Sequence, residues 1–363
     1  MRRTVLLIAL GLAACQPQAS AHISPASSTS SSPDRAAAAP GDLIYVRDLD
    51  GPRMLEMDWA GKVHGSVSAR GFSTPSADGS RFFRTADRIV VEDWRGHALG
   101  VLDADPNSDG LGTWADDGQH FCGISFPPNS GPDTGTGSLW IAAPGEKSRS
   151  VGPVGKPGSD PAVAACSIKN NRAIVAGGLF PHWPPGGTRY LITAEIQVVN
   201  LTTGAIELER EYPLGNLGGQ RESGMRGDWV LVAASPDARY VAENGVFNGT
   251  AAIREVPTGK AVATLHGGVR GFNWDGTRVV LDVENGASAE VQVATWSDQK
   301  ALWHRPGVAQ SMLARPNSTD IMIGVSSLSG NDTELIAVDG DGQTHVVLRN
   351  AYVSWPCPCP IGI

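Results

Sequence analysis

The most regular feature of the chain is an alternation of apolar and polar residues in short runs, separated by tight polar turns. In seven hairpins, two such runs flank a turn that contains Gly or Asp. They are MLEMDWAGKVHGSV, RIVVEDWRGHALGVL, LWIAAPGEKSRSV, EIQVVNLTTGAIELE, AAIREVPTGKAVATL, EVQVATWSDQKALW and ELIAVDGDGQTHVVL. A period of two is what a strand with one buried face requires, so the pattern predicts an all-β protein.

A second class of turn lies between these hairpins and occurs six times. The segments are STPSADGSRFFRT, TWADDGQHFCGI, ACSIKNNRAIVA, AASPDARYVAE, FNWDGTRVVLDV and LARPNSTDIMIG. Asp-Gly and Pro-Asp suit such turns because Gly, Asn and Asp tolerate a positive φ. Seven hairpins of one kind and six of the other predict units of four strands, a to d, with one strand missing.

The missing strand is predicted to come from the C-terminal end of the chain. The first unit begins at strand b with DLIYVRD, whereas AYVSWPC near the end has the pattern of a strand a. Pairing the two would close the units into a ring and remove two exposed sheet edges. A free C-terminal tail is the alternative, against which Trp355 argues because its side chain is costly to leave in water.

Three segments carry a resemblance to a known family of repeats. SADGSRFF, SPDARYV and WDGTRVV resemble the TolB-like and WD-type repeats of bacterial envelope proteins, over about residues 43–356. The resemblance implies a seven-bladed β-propeller closed by a C-terminal strand, with six or eight blades as alternatives. The repeats are degenerate, and the Trp-Asp dipeptide at strand ends is lacking.

The N-terminal residues have the order of a targeting signal. MRR is followed by the apolar run TVLLIALGL and then by LAAC, which resembles the lipobox of bacterial lipoproteins. The resemblance implies a signal peptide at 1–14 and an acylated Cys15, with an ordinary cleaved secretory peptide as the alternative. Residues 15–41 then form a flexible Ser/Ala/Pro linker, and 42–363 form the propeller. Gln16 resembles an outer-membrane sorting signal if the host has two membranes.

Charge narrows the range of partners. The whole chain has a formal net charge of −8, and loss of Arg2 and Arg3 with the signal peptide leaves 27 basic and 37 acidic residues, a net charge of −10. Lys and Arg are not clustered as phosphate contacts would require, so we expect no nucleic-acid partner. We expect a monomer that is held to the membrane by its lipid.

The long insertions fall mostly in the b–c and d–a loops, which lie on the face opposite the tight turns. Long loops on a rigid scaffold are where function usually resides, so this face over blades 3 to 5 is predicted to bind a partner. The candidate contacts are Phe126, His182, Trp183, Arg221 and Arg226. In the alternative interpretation, prolines merely stiffen tolerated insertions and Trp183 packs on its neighbours.

One segment matches a calcium-binding loop. In DPNSDGLGTWAD, Asp105, Asn107, Asp109 and Asp116 occupy positions 1, 3, 5 and 12 of that pattern, and Gly110 occupies position 6. Oxygen ligands at these positions are what Ca²⁺ prefers, although position 12 is usually the longer Glu. The same residue types also fill ordinary solvent loops, so calcium is a candidate cofactor and no other cofactor is indicated.

The remaining residues that could form disulfides, bind metals or catalyse a reaction are the cysteines and histidines. Export permits disulfides among Cys122, Cys166, Cys357 and Cys359; Cys122 and Cys166 fall on neighbouring blades, but the sequence cannot choose between the possible pairings. For Cys357 and Cys359 a disulfide that fixes the closing segment is favoured over a metal site. Most histidines lie in or beside d strands, and no recognised catalytic motif is present.

The predicted function is a membrane-anchored extracytoplasmic module that binds a protein, peptide or glycan; the alternative is a propeller-type hydrolase or lyase.

Overall fold

A computed structural model of the chain describes residues between 43 and 353. The gaps are 49–52, 69–75, 77–80, 86–88, 94, 105–111, 128–135, 157–158, 180–190, 217–229, 246–248, 286–287 and 328–331. The secondary structure of these residues consists of 27 β-strands without a helix. The described ranges accordingly contain no helix with the length and apolar character needed to cross a membrane.

The strands form seven antiparallel sheets in chain order, which we number as blades 1 to 7. Six of the sheets have four strands, and the described residues of blade 2 supply three. Blade 1 contains β1 (Leu43–Asp48), β2 (Arg53–Asp58), β3 (Val63–Ser68) and β27 (Ala351–Val353); blade 2 contains β4 (Phe82–Thr85), β5 (Ile89–Glu92) and β6 (Ala98–Leu102); blade 3 contains β7 (Thr113–Trp114), β8 (Phe121–Ser125), β9 (Gly137–Ala142) and β10 (Arg149–Val154).

Blades 4 to 7 each consist of four consecutive strands, of which the first is the innermost. Blade 4 contains β11 (Ser159–Ser167), β12 (Arg172–Leu179), β13 (Leu191–Asn200) and β14 (Ile206–Asn216); blade 5 contains β15 (Val230–Ala234), β16 (Tyr240–Gly245), β17 (Thr250–Glu255) and β18 (Ala261–His266). Blade 6 contains β19 (Gly268–Phe272), β20 (Arg278–Asn285), β21 (Ser288–Thr295) and β22 (Lys300–Pro306); blade 7 contains β23 (Val308–Ala314), β24 (Ile321–Ser326), β25 (Thr333–Val338) and β26 (Thr344–Arg349). The predicted all-β, seven-bladed β-propeller is confirmed.

The C-terminal strand closes the ring as the sequence predicts. β27 pairs antiparallel with β1, and the register places Val353 opposite Val46 and Ala351 opposite Asp48. Ala351 is fully buried in an apolar cluster that also contains Ile44 and Met322. This cluster joins blade 7 to blade 1, so the last described strand links the two ends of the propeller domain.

The hydrophobic core lies between the blades. Apolar clusters join blade 2 to 3, 3 to 4, 4 to 5, 5 to 6, 6 to 7 and 7 to 1. At the junction of blades 1 and 2, the rings of Tyr45 and Phe82 meet edge to face with centroids 5.1 Å apart. Each sheet therefore buries both faces against its neighbours, which explains why a central strand such as Ile321–Ser326 is buried along its whole length and is mostly apolar.

Buried carboxylates strengthen the outer part of two junctions. Glu243 of blade 5 accepts hydrogen bonds from Arg210 of blade 4 at 2.8 Å and from Arg254 of its own blade at 2.7 Å. At the junction of blades 6 and 7, Glu334 pairs in the same way with Arg305 and Arg349. Each carboxylate is 9% exposed or less, so its two arginines compensate for most of its lost hydration.

Candidate functional site

The tight a–b turns of five successive blades surround one cavity of about 920 Å³. These turns follow the innermost strands, so the cavity lies at the mouth of the central channel. The lining residues are Asp116 and Asp117 of blade 3, Ile168 and Lys169 of blade 4, Asp237 and Arg239 of blade 5, Trp274 and Asp275 of blade 6, and Asn317, Ser318 and Thr319 of blade 7. We call this the channel-mouth cavity, and we call the side of the propeller on which it opens the turn face.

The turn conformation recurs around the cavity, at equivalent positions in blades 3 to 6 and one residue earlier in blade 7. One residue of each a–b turn has a positive φ, and these residues are Gly118, Asn171, Ala238, Gly276 and Asn317. Four of them are Gly or Asn, the residues that adopt the left-handed conformation at least cost. The turns are therefore short and alike, and they bring the residues before and after the turn to the same place in successive blades.

Hydrogen bonds tie each turn to the next through blades 2 to 5. Arg81 donates to the carbonyl oxygen of Gly118 at 3.0 Å. Asp116 of blade 3 accepts from the hydroxyl of Ser167 at 2.6 Å and from the backbone N–H of Ile168 at 2.8 Å, both in blade 4. Asn170 of blade 4 then donates to the carbonyl oxygen of Asp237 in blade 5 at 2.7 Å.

The same arrangement continues to blade 1. Arg239 donates to the carbonyl oxygen of Asp275 at 2.7 Å, and Arg278 donates to that of Gly340 at 2.6 Å. At the junction of blades 7 and 1, an imidazole nitrogen of His345 lies 3.0 Å from the carbonyl oxygen of Trp59. Six of the seven blade junctions are thus bridged on the turn face by described residues, which fixes the rim of the channel-mouth cavity before any ligand arrives.

Several side chains at this rim keep unused binding capacity. Within the described part of the chain, no hydrogen bond or ion pair engages the indole of Trp274, the ammonium of Lys169, the amide of Asn317 or the hydroxyl of Thr319. Asp275 accepts hydrogen bonds from Thr277 through Oδ1 and attracts the guanidinium of Arg239, and its Oδ2 accepts no hydrogen bond from a described residue. Trp274 and Asp275 are half-buried, so they are held in place while remaining accessible from the cavity.

The rim is acidic. Four carboxylates line the cavity and two basic side chains offset them in part. Burial works to raise the pKa of Asp117, but the backbone N–H groups of His120 and Gln119 and the imidazole of His120 outweigh it and lower that pKa. Burial works to lower the pKa of Arg239, but its contact with Asp237 raises it. The rim therefore carries negative charge at neutral pH.

A second, smaller hollow of about 320 Å³ adjoins the cavity between blades 3 and 4. Ile168 lines both, and His120 contributes to the smaller one. The Nδ1 atom of His120 lies 2.6 Å from a carboxylate oxygen of Asp117. The same type of pair occurs in two c–d hairpins, between His64 and Asp58 at 3.0 Å and between His97 and Asp93 at 2.9 Å. This recurrence identifies the pair as a stabilising element of the turns.

One residue predicted to contact a partner is placed elsewhere. Phe126 is 7% exposed and packs in a core cluster with Ile124 and Leu139 of blade 3, so its side chain is not available to a partner. The prediction for Phe126 was wrong because it relied on the position of Phe126 at the start of a long loop. The spacing of two from Ile124, which places both side chains on the same buried face, is the signal that decides its position. The other predicted contacts, His182, Trp183, Arg221 and Arg226, lie outside the described residues.

The calcium prediction rests mostly on residues that also lie outside that range, namely Asp105, Asn107 and Asp109. Of the predicted ligands, Asp116 is described, and both of its carboxylate oxygens accept hydrogen bonds from blade 4. Within the described ranges, no three His, Cys, Asp or Glu side chains are grouped so that they could hold a metal ion.

The structure joins Cys122 of β8 and Cys166 of β11 by a disulfide, with the two Cα atoms 6.3 Å apart. Both cysteines are buried in the cluster between blades 3 and 4. Cys15, Cys357 and Cys359 lie outside the described residues. The disulfide thus links two blades beneath the turn that carries Asp116.

No protein-family model and no curated protein matches the chain. Similar solved structures include the hydrazine synthase of Kuenenia stuttgartiensis, with 13% identity, a TM-score of 0.48 and coverage of 84% of this chain and 94% of that one. Apo AztD from Citrobacter koseri has 9% identity, a TM-score of 0.45 and coverage of 84% and 93%. The Cps50 (Swd1) β-propeller domain of Myceliophteria thermophila has 11% identity, a TM-score of 0.44 and coverage of 80% and 91%.

Proposed function

We propose that the protein is a lipid-anchored binding module of the cell envelope, and that its propeller binds a protein, peptide or glycan in the channel-mouth cavity. The observation that carries the proposal is the combination, at this cavity, of a rim fixed by interblade hydrogen bonds with side chains that form no hydrogen bond to any described residue. Preorganised groups with unused hydrogen-bonding capacity lose little conformational entropy when a ligand binds.

The lipid anchor is supported by sequence chemistry. Acylation of Cys15 would hold the protein to a membrane, because each buried CH₂ group of an acyl chain contributes about 0.8 kcal/mol. The disulfide between Cys122 and Cys166 fits an extracytoplasmic location, since disulfides persist where the thiol-reducing systems of the cytosol are absent. Gln16 after the anchor favours the outer membrane in a host with two membranes.

The opposite face remains a competing location for the ligand. Trp183 and Arg221 are predicted contacts on that face, and the same binding experiment tests Trp183. The alternative function of a hydrolase or lyase would need a catalytic group at the cavity, and the pair of Asp117 and His120 is the nearest candidate. Because that pair recurs in hairpins away from the cavity, it favours a structural role, and binding is the function that the geometry supports better.

Binding is tested by screening the full chain, with Cys15→Ser to prevent acylation, against a displayed peptide library and an array of immobilised glycans. Ligands captured by this protein are then tested with Trp274→Ala at the cavity and with Trp183→Ala on the predicted loop face. We expect Trp274→Ala to lose the ligands and Trp183→Ala to retain them. Ligands that depend on Trp183 and not on Trp274 would contradict the proposed site and move it to the loop face.

Anchoring is tested by labelling cells with radioactive palmitate and separating their membranes. We expect the wild-type chain to be labelled and to sediment with the membranes, whereas Cys15→Ser is unlabelled and released. Equal labelling and fractionation of the two chains would contradict the anchor.

A further inference from the structure

The lining of the channel-mouth cavity is chemically unusual for a site that holds an apolar group. Of its described lining residues, Ile168 and Trp274 are apolar or aromatic and the other nine are polar or charged. Pockets for drug-like ligands are lined mainly by apolar side chains, and peptide anchors are usually apolar or aromatic groups in a desolvated pocket. The ligand that suits this lining has many hydrogen-bonding groups and one flat, weakly polar face.

The groups that no described residue engages in a hydrogen bond are concentrated in blades 6 and 7. Trp274 contributes a half-buried indole ring to the lining, and Asp275, next to it in the chain, offers one carboxylate oxygen. From the next blade, Asn317 offers an amide that both donates and accepts, and Thr319 offers a hydroxyl. An aromatic face beside an acceptor, an amide and a hydroxyl matches a pyranose ring, whose C–H groups form one face and whose hydroxyl groups surround its edge.

We propose that the natural ligand is an oligosaccharide, one sugar of which stacks on Trp274 while its hydroxyl groups bond to Asp275, Asn317 and Thr319. This inference rests on the proposed function, since it names the ligand class of the same cavity. A volume of about 920 Å³ exceeds the needs of a single small sugar and is near the upper end of the roughly 300–1,000 Å³ typical of ligand pockets. The smaller hollow between blades 3 and 4, which shares Ile168 with the cavity and contains His120, offers room for a further sugar.

The charge of the rim selects among sugars. Asp116, Asp117 and Asp237 are engaged in hydrogen bonds with the chain but still contribute negative charge, and Asp275 adds a fourth carboxylate. Lys169 and Arg239 offset two of these charges, and Arg239 is itself paired with Asp237. The cavity therefore suits neutral or amino sugars and disfavours acidic sugars, whose carboxylates would meet like charges.

The inference is tested by isothermal titration calorimetry of the full chain with Cys15→Ser. The four probes are tetramers of glucose, N-acetylglucosamine, glucosamine and galacturonic acid. We expect at least one of the first three to bind and the galacturonic acid tetramer to bind at least 10-fold more weakly. Trp274→Ala should weaken binding at least 10-fold, Trp274→Phe should restore most of it, and Asn317→Ala should weaken it by a smaller factor.

The variants separate the role of each group. Asp275→Asn should weaken a glucosamine tetramer about 10-fold and a neutral tetramer little, because only the former carries an ammonium group. Lys62→Ala, on an exposed turn of blade 1 away from the cavity, is the matched control and should leave affinity unchanged. Thermal unfolding of every variant establishes that it is folded, and the exposed Asn317 and half-buried Asp275 keep the test decisive if Trp274→Ala does not fold.

The outcomes distinguish this inference from the proposed function. If no tetramer binds but a library peptide binds and is lost in Trp274→Ala, the ligand is not a sugar and the cavity remains the binding site. Preferred binding of the galacturonic acid tetramer would also overturn the inference. If captured ligands of every class are indifferent to Trp274, Asp275 and Asn317, then both the sugar inference and the proposed site are wrong.

Discussion

Replacing Ala351 by Asp puts a carboxylate at a fully buried position of the closing strand. Ala351 is 0% exposed and lies in the apolar cluster shared by blades 7 and 1, with Ile44, Val46 and Met57 around it. A carboxylate buried without a partner costs several kcal/mol, so the cheaper response is for β27 to leave β1. The loss of stability is therefore limited by what the docked strand contributes.

The free energy that the docked strand contributes follows from its backbone pairs with β1 and from the side chain that it buries. β27 forms three residue pairs with β1 and buries Ala351. A backbone hydrogen bond contributes about 1 kcal/mol net and each buried CH₂ about 0.8 kcal/mol, so undocking should cost about 3 kcal/mol. A domain of this kind is stable by about 5–15 kcal/mol, so the variant should remain folded with an open ring.

Urea unfolding followed by circular dichroism measures the loss, and hydrogen exchange locates it. We expect exchange to accelerate in β1 and to stay unchanged in β20 of blade 6. Ala301→Asp, at an exposed position of β22, introduces the same side chain as a control and should change stability by about 0.5 kcal/mol or less. If Ala351→Asp costs no more than this control and leaves exchange in β1 unchanged, then the C-terminal strand does not close the ring.

Three further substitutions test the contacts that hold the blades and turns. Gly204→Ala should cost about 3 kcal/mol in urea unfolding, because φ is +71° and the new Cβ would lie 2.2 Å from the carbonyl oxygen of Val151. Gly145→Ala is the control, since its φ of +82° is similar but the space around it is open, and it should cost about 1 kcal/mol. Equal losses of stability in the two variants would refute the steric reason. Glu243→Gln should cost about 2 kcal/mol in thermal unfolding, since two arginines lose their shared charge, and an unchanged midpoint would show that the cluster is not stabilising. The lowered pKa of Asp117 stabilises the fold at pH values above the unfolded pKa of 3.8, and this stabilisation disappears as the pH falls through the folded pKa. Asp117→Asn should therefore be less stable than wild type at pH 7 but not at pH 2. A difference in stability that does not depend on pH would contradict this.

The blade architecture could be predicted because its signals are local. Alternating runs and turns with Gly, Asn or Asp determine a hairpin within about fifteen residues, and all seven hairpins of the first kind are present. The closing strand could also be predicted, since a unit that begins at strand b needs a strand from elsewhere. Both predictions follow from the need to bury one face and to pair each edge.

The channel-mouth cavity could not be predicted in the same way. Its rim depends on bonds between blades, such as Arg239 to Asp275 and Asn170 to Asp237, and no spacing in the sequence reveals which carbonyl a side chain will meet. The lengths of the loops favoured a binding site on the opposite face instead. One signal was available in the turn itself. The described turns of the other blades place Asp116, Lys169, Pro236 and Pro316 where blade 6 has Trp274, and a large aromatic residue in a tight turn indicates a contact with a partner.

The indole N–H of Trp274 gives the most direct test of binding at the turn face. In the chain labelled with ¹⁵N, its resonance is identified by its absence from Trp274→Phe, and Trp303, packed against the core of blades 6 and 7, provides a reference. On titration with the N-acetylglucosamine tetramer, or with any ligand captured in the screen, the Trp274 resonance should shift saturably while that of Trp303 stays in place. Saturable binding that leaves the Trp274 resonance unmoved would contradict the assignment of the channel-mouth cavity as the binding site.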